Sequence, residues 1–154
     1  MKARAKVAVI TRTKDRPEFL LRAMESCFSQ TFEDWVHVIV NDGGDPDVVD
    51  ALVALNRHRY GERVCVVHHE ASKGMQRASN AGIRASKSEF VVIHDDDDSW
   101  YPDFLSTCVN YLEKEGPGSP RQGVVVQSTQ VLEEVMVNGE ILELSKQPYY
   151  PFEF

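Results

Sequence analysis

An apolar run, Phe90-Val91-Val92-Ile93-His94, ends directly on four consecutive aspartates, Asp95 to Asp98. A short apolar segment that stops at a charged turn reads as a buried strand of a parallel sheet, and ligands of open α/β sheets gather at the carboxyl ends of such strands. Adjacent carboxylates repel one another, so four of them at a strand end require a cation or solvent to take up their charge. The cluster alone leaves two readings: a solvated acidic turn, or a seat for a hard divalent cation bound through oxygen and shared with nucleotide phosphates. Its position at a strand end favours the second.

The rest of the chain repeats the same alternation. Residues 6–11, 36–41, 64–68 and 89–94 have strand character, and apolar residues at helical spacing lie between them. The pattern predicts a first helix opening near Asp15 or Arg16, with Pro17 in its first turn, that buries Leu20, Met24, Cys27 and Phe28. A second follows Pro46, uses Val48, Val49, Leu52 and Leu55, and stops near Gly61. A third starts near Gly74 and carries Met75, Ala78, Gly82 and Ile83, its small residues suiting close approach to the sheet or to a ligand. A fourth opens at Pro102, packs Phe104, Leu105, Cys108 and Leu112, and ends before the loop 116–123. Beyond that loop, residues 124–137 and 140–144 flank Asn138-Gly139, a two-residue hairpin signal. The order predicts an α/β fold: a mostly parallel sheet with helices on both faces and a C-terminal antiparallel hairpin.

With 154 residues and 42% hydrophobic content the chain suits one domain with a real core. No apolar stretch is long enough to span a membrane, and the basic start leads straight into strand-like sequence. The formal net charge of -7 argues against nucleic acid as a partner, so any phosphorylated ligand needs a metal or a local basic patch. Cys27, Cys65 and Cys108 are odd in number and widely separated, which reads as reduced core thiols in a cytosolic protein. Of the histidines only His94 adjoins the acidic cluster. Neighbouring carboxylates favour its protonated form, while burial in the core is the plainer expectation. Trp100 is expected to pack the aspartate loop onto the fourth helix.

Four blocks carry a resemblance: Thr13-Lys14-Asp15-Arg16-Pro17 after the first strand; SCFSQTF at 26–32; Asn41-Asp42-Gly43-Gly44 after the second strand; and GMQRASNAG at 74–82 followed by HDDDDSWYPDFL. In order and spacing they resemble the nucleotide-sugar-binding part of family 2 glycosyltransferases with the Rossmann-like GT-A fold, over about residues 6–112. Jointly the blocks are specific, whereas each alone is weak.

The resemblance implies a metal-dependent transferase that moves a sugar from a UDP-, GDP- or dTDP-linked donor to a glycan or other hydroxyl acceptor, with inversion. The family's D-x-D falls on Asp95 and Asp97, implying metal ligation of Mn2+ or Mg2+ by these two, with Asp97 bridging to the diphosphate and Asp95 and Asp96 serving the ribose or the metal's water shell. Asp98 supports the turn. Asp42 is expected to accept hydrogen bonds from the base or ribose, or to form an Asx-type turn before Gly43. Arg12, Thr13, Lys14, Gly74 and Arg77 complete the implied nucleotide contacts. Departures from the pattern are Arg12 for proline, Lys14 for the stacking tyrosine, Asn41 for the first acid of D-D-G-S, and Ser79 for arginine. Arg77 and Lys73 are candidates to replace that last charge, against a reading as ordinary surface cations.

In the resembled family the base that deprotonates the acceptor lies beyond the D-x-D region, and no residue here is identified as that base. Glu133 and Glu134 are acceptor-side candidates, set against a plain reading as exposed strand residues. Residues 1–115 are expected to form the donor-binding core, and 116–154 to complete the same domain and lead to an acceptor region. The aromatic stretch Tyr149 to Phe154 is expected to dock an acceptor domain or second subunit. A cytosolic or membrane-peripheral location fits these features. Two other classes stand beside the transferase: a non-catalytic module that binds a nucleotide or nucleotide-sugar, and a receiver-like phosphotransfer domain. The latter needs a phosphate-gripping lysine after a later strand, which is not evident.

Overall fold

The computed structural model describes residues 4–116, 119–126 and 130–148. Four strands, β1 (Val7–Thr13), β2 (Trp35–Asp42), β3 (Val64–His69) and β4 (Phe90–Asp95), form a parallel sheet in the order β3-β2-β1-β4. Parallel strands need crossovers, and the helices supply them: α1 (Pro17–Phe28), α2 (Pro46–Leu55), α3 (Arg57–Tyr60) and α4 (Met75–Ala85). A further helix, α5 (Phe104–Glu113), precedes a hairpin of β5 (Gln130–Val137) and β6 (Glu140–Pro148). The chain divides into two compact units, Met1–Ser106 and Thr107–Phe154, with the boundary inside α5.

The two inner strands are buried along their whole length apart from Arg12, as their continuous apolar sequence requires. One face of the sheet joins Ala8, Ile10, Val36, Val38 and Val40 to Ala78 of α4. Gly82 is what allows that helix so close: a Cβ there would stand 2.4 Å from Ile10 Cγ2 and 3.1 Å from Val40 Cγ2. The small residues of α4 therefore serve contact with the sheet. The opposite face buries Val9, His37 and Ile39, and the core also takes in Leu20, Met24 and Cys27 of α1 and Tyr60 of α3.

Several expectations need correction. The strand before the aspartates is an edge strand, pairing among the described residues with β1 alone, and its Val91 and Ile93 are 43% and 39% exposed. The second helix breaks at Asn56, whose side-chain amide donates to Leu52 O at 3.0 Å and so competes with helix continuation. Within it Val49 and Val53 are buried, while Val48 and Leu55 face outward. In α4, Met75 and Ile83 are exposed as well. The last helix opens at Phe104 rather than Pro102. The hairpin begins at Gln130 rather than Val124, and its turn residues Asn138 and Gly139 adopt φ of 51° and 82°, as a type I′ turn requires. The aromatic stretch 149–154 lies outside the described residues.

Candidate active site

The chain runs from β1 outward to β2 and β3, then returns to place β4 on the other side of β1. The crevice between the carboxyl ends of β1 and β4 is therefore the topological switch point of the sheet, where ligands of such folds bind. Asp95 to Asp98 stand at that crevice, since β4 ends at Asp95 and the Asp98 amide closes a turn on Asp95 O at 3.0 Å. Asp98 thus supports the turn through its backbone.

Register places Arg12 directly opposite Asp95, and the two form an ion pair across the strands. Arg12 occupies the position where the sequence pattern led one to expect proline, and its charge is committed to the acidic tip. Arg16, at the N-cap of α1, donates to Asp96 Oδ1 and, at 3.3 Å, to Asp97 Oδ2. Arg22 donates to the Asp97 carbonyl. Both guanidiniums also lie over the Phe19 ring, at 5.6 Å and 5.1 Å from its centroid. Sequence reasoning assigned Arg16 and Arg22 no site role. The available signal was spacing: residues 16, 19 and 22 recur every three positions and share one helix face.

The four carboxylates differ in their surroundings. The Asp96 side chain is fully buried, and its Oδ2 has no hydrogen-bond partner. Burial raises its pKa above the usual carboxylate range, with Thr13 and Arg16 pulling partway back. Asp97 remains half exposed. Burial and the neighbouring Asp97 charge raise Asp98, against the pull of Arg22. His94 is buried, and desolvation pushes it down to about 4, outweighing Asp97. The carboxylates therefore do not hold it protonated at neutral pH. Its ring stacks on Trp100 at 3.9 Å, and Trp100 stacks in turn on Phe104 at 4.3 Å, so Trp100 packs the aspartate loop onto the last helix as expected.

The SCFSQTF block holds the far side of this loop. Gln30 donates to Ser26 O at 3.0 Å and Tyr101 O at 2.9 Å, and accepts from the Leu105 amide at 3.0 Å. The Thr31 amide reaches Pro102 O at 2.8 Å, and Ser26 Oγ accepts from the Trp100 amide at 3.3 Å. The motif is thus a brace between the end of α1 and residues 100–105.

At the end of β2, Asp42 accepts four hydrogen bonds, two per oxygen. Oδ1 takes His69 Nδ1 at 2.7 Å and the Lys73 amide at 2.9 Å; Oδ2 takes Ser72 Oγ at 2.7 Å and the Gly74 amide at 3.0 Å. Burial alone would raise its pKa, but these donors hold it well below the usual carboxylate range. Asp42 itself makes no Asx turn onto Gly43. Asn41 makes the turn instead, accepting from the Gly44 amide at 2.9 Å and donating to Gly44 O at 2.8 Å. Thr13 is buried, whereas Lys14, Lys73 and Arg77 are exposed, and none of these three cations has an ion pair among the described residues.

The acidic tip suits a hard cation in chemistry, with a buried, unpartnered Asp96 oxygen beside the exposed Asp97 carboxylate. Among the described residues no three His, Cys, Asp or Glu side chains gather to hold a metal. One or two carboxylates, with ligand phosphates and water for the rest, is the way Mg2+-type sites are usually built.

An open parallel sheet with its charges collected at the switch point is the layout of a ligand-binding α/β domain. The chain belongs to glycosyl transferase family 2, whose model matches residues 8–150. It is 33% identical over 99 residues to the succinoglycan biosynthesis protein ExoW of Rhizobium meliloti (strain 1021), covering 63% of this chain and 30% of that protein. Among solved structures it is similar to the mannosyltransferase PcManGT from Pyrobaculum calidifontis in complex with GDP-Man and Mn2+ (TM-score 0.64, 21% identity, 74% of this chain and 35% of that one). It is also similar to S. aureus TarS 1-349 in complex with UDP-GlcNAc (TM-score 0.63, 21% identity, 70% and 31%). These two likenesses establish the shared GT-A fold. The chain spans between 15% and 50% of the length of the curated relatives it resembles.

Proposed function

We propose that this chain is the donor-binding part of a glycosyltransferase that takes a nucleotide-diphosphate sugar at the carboxyl ends of β1, β2 and β4 and passes the sugar to an acceptor hydroxyl with inversion. The observation that carries the reading is the acidic turn at the switch point of a family 2 chain, with Asp97 half exposed there. Solved neighbours hold GDP-Man with Mn2+ and UDP-GlcNAc, which supports a nucleotide-sugar ligand.

In this reading Asp97, with Asp95, holds Mn2+ or Mg2+, while Asp96, paired with Arg16 through Oδ1, keeps its unpartnered Oδ2 for the metal's water shell. The bound ion offsets negative charge on the leaving diphosphate. The exposed cations Lys14, Lys73 and Arg77 attract the phosphates, and Thr13 and Gly74 let the backbone come close to the nucleotide. Residues 1–115 form the donor core and 116–154 lead toward the acceptor region, which supplies the base. Glu133 accepts from Ser145 Oγ at 3.1 Å on an exposed strand.

Calorimetry of UDP, GDP and dTDP, with and without Mn2+ or Mg2+, tests the donor site. Binding is expected to require metal and to fall by about tenfold or more in Asp97→Ala. Metal-independent affinity that the substitution leaves unchanged would overturn the assignment. Sugar transfer is expected only from a longer protein that includes the acceptor part, and equal turnover by this chain alone would refute the missing base.

A further inference from the structure

We propose that Asp15 is a positioning residue: its left-handed backbone, held by the turn after β2, aims Arg16 at the acidic tip and so governs how firmly Arg16 competes with a cation there. Among the described residues only Asp15 and Asn138 adopt a positive φ without being glycine, at 53° and 51°. Asn138 does so inside a hairpin turn, which demands it. Asp15 stands in the glycine-free stretch Thr13-Lys14-Asp15-Arg16-Pro17, where a left-handed residue is disfavoured and persists only if its surroundings hold it. The next residue, Arg16, is already the N-cap of α1; Pro17 opens the helix, and the Leu20 amide bonds Arg16 O at 3.0 Å. With the helix so begun, the turn at residue 15 sets the direction in which Arg16 leaves the backbone. It leaves toward Asp96 Oδ1 and Asp97 Oδ2.

What holds Asp15 lies on the neighbouring loop. Its Oδ1 accepts from the Asp45 amide at 3.2 Å, which ties the β1–α1 loop to the N-cap of α2. A Cβ at Gly44 would stand 2.7 Å from Asp15 Oδ1 and 2.9 Å from the Asp15 amide nitrogen, so the two loops approach closely at this point. Asn41 fixes Gly44 in turn, bonding both its amide and its carbonyl. Side-chain packing contributes less, because a cavity of about 220 Å3, lined by Pro17, Leu20, Val48 and Val49, separates the first turns of α1 and α2. The position of one loop is therefore carried to the other chiefly by the Asp15 carboxylate. Aspartate and asparagine are the side chains that tolerate left-handed backbone while accepting a local hydrogen bond, so asparagine fits this position and alanine does not.

A double-mutant cycle on the full chain, read as Mn2+ affinity by electron paramagnetic resonance, tests this; the metal arm rests on the donor-binding reading. Asp15→Asn keeps the acceptor and the backbone preference while removing the charge, and is expected to bind Mn2+ within about twofold of the parent. Asp15→Ala loses both features, and is expected to bind about threefold more tightly than the asparagine variant, as Arg16 turns away from the tip. With Arg16→Gln already in place, alanine and asparagine at position 15 are expected to differ by less than about 1.5-fold, because the side chain through which they act is gone. A threefold difference that persists without Arg16, or alanine and asparagine variants that behave alike with Arg16 present, would overturn the proposal. If the alanine variant does not fold, Asp15→Gly keeps the left-handed backbone and drops only the acceptor; it is expected to bind about twofold more tightly than asparagine, and equality would overturn the proposal. Should the parent bind no Mn2+, the metal reading fails, and metal-free urea unfolding still decides the role of Asp15. The losses from Asp15→Ala and Arg16→Gln are expected to overlap, the double variant keeping a folding constant about fivefold above the additive value; strict additivity would overturn the proposal.

Discussion

His37 lies at the centre of the buried α1 and α3 face, with no exposed surface, and both ring nitrogens are engaged: Nδ1 with Tyr60 Oη at 2.7 Å and Nε2 with Thr11 Oγ1 at 2.8 Å. A neutral imidazole has one donor and one acceptor, and two hydroxyls can rotate to satisfy both. A protonated ring would find no anion, since Tyr60 is itself held protonated by burial and Cys27, another buried group in this core, has its thiol pushed up by desolvation. Burial, helped by the neighbouring His94, accordingly pushes His37 from 6.5 down to about 3.

The consequence is a defined loss of stability in mild acid. Because the folded-state pKa is lowered, the unfolded chain binds the extra proton between pH 6.5 and pH 3, so stability falls as pH drops through that window. At about 1.4 kcal/mol per pH unit, His37 alone removes about 2 kcal/mol between pH 7 and pH 5, and about 4 kcal/mol by pH 3. His37→Gln keeps a donor and an acceptor but does not titrate. Urea unfolding at pH 7, 6 and 5 is therefore expected to show the parent losing about 2 kcal/mol more than the variant, even though the variant starts from lower stability. His94 remains in both proteins and contributes the same background. Parallel pH profiles would refute the reasoning and mean that His37 reaches water or accepts a proton in the fold.

Arg16→Gln is expected to lower metal-free stability by about 2 kcal/mol, read by urea unfolding, because the buried Asp96 carboxylate loses its charge-assisted partner; its Mn2+ affinity, read by electron paramagnetic resonance, should rise as a competing cation is removed. Gly82→Ala is expected to destabilise by about 1 to 3 kcal/mol despite the better helix propensity of alanine, since the new methyl meets Ile10 and Val40 in a packed core; thermal unfolding measures it, and a gain in melting temperature would contradict the close approach of α4. Gln30→Ala is expected to speed amide exchange at Leu105 and to loosen residues 100–105, and protection there equal to the parent would rule out the brace.

What was legible in the sequence was local. Periodicity found all four parallel strands, and Pro17, Pro46 and Asn138-Gly139 announced features that depend on a few consecutive residues. Sheet order is a different matter: the apolar run 90–94 reads the same in a central strand as at an edge, and only the return of the chain past β1 leaves Val91 and Ile93 in the open. The partners of the site residues were beyond reach for the same reason. Arg16 and Arg22 meet the acidic tip across separations of 75 to 81 residues, and the donors of Asp42 come 27 to 32 residues later. No pattern within one window encodes such pairings. The aspartates themselves were found because their charge is so concentrated; the arginines that answer them are dispersed among ordinary helix-surface positions.

That dispersal changes the argument for a ligand. Read from sequence, four carboxylates in a row demand a counter-ion, and a divalent metal is the obvious one. In the fold, Arg12 meets Asp95 across the strands, Arg16 answers Asp96 and Asp97, and Arg22 bonds the Asp97 carbonyl, so the repulsion is largely relieved by the protein itself. Excess negative charge is therefore a weaker reason to expect metal than the location of the tip at the switch point. The same guanidiniums supply something that a net charge of -7 conceals. A diphosphate bound as proposed would meet these three arginines beside the acidic loop in addition to the exposed Lys14, Lys73 and Arg77, and local charge, less screened at a partly buried site, would outweigh the distant field. Attraction and metal binding then compete for the same side chains: each guanidinium that turns toward phosphate frees a carboxylate oxygen for the cation. Ligand and metal should accordingly bind with positive cooperativity, each relieving the arginine pairing that hinders the other. Titrations in which Mn2+ and UDP or GDP bind independently of one another would remove that coupling, and with it the reason for placing the diphosphate among these arginines.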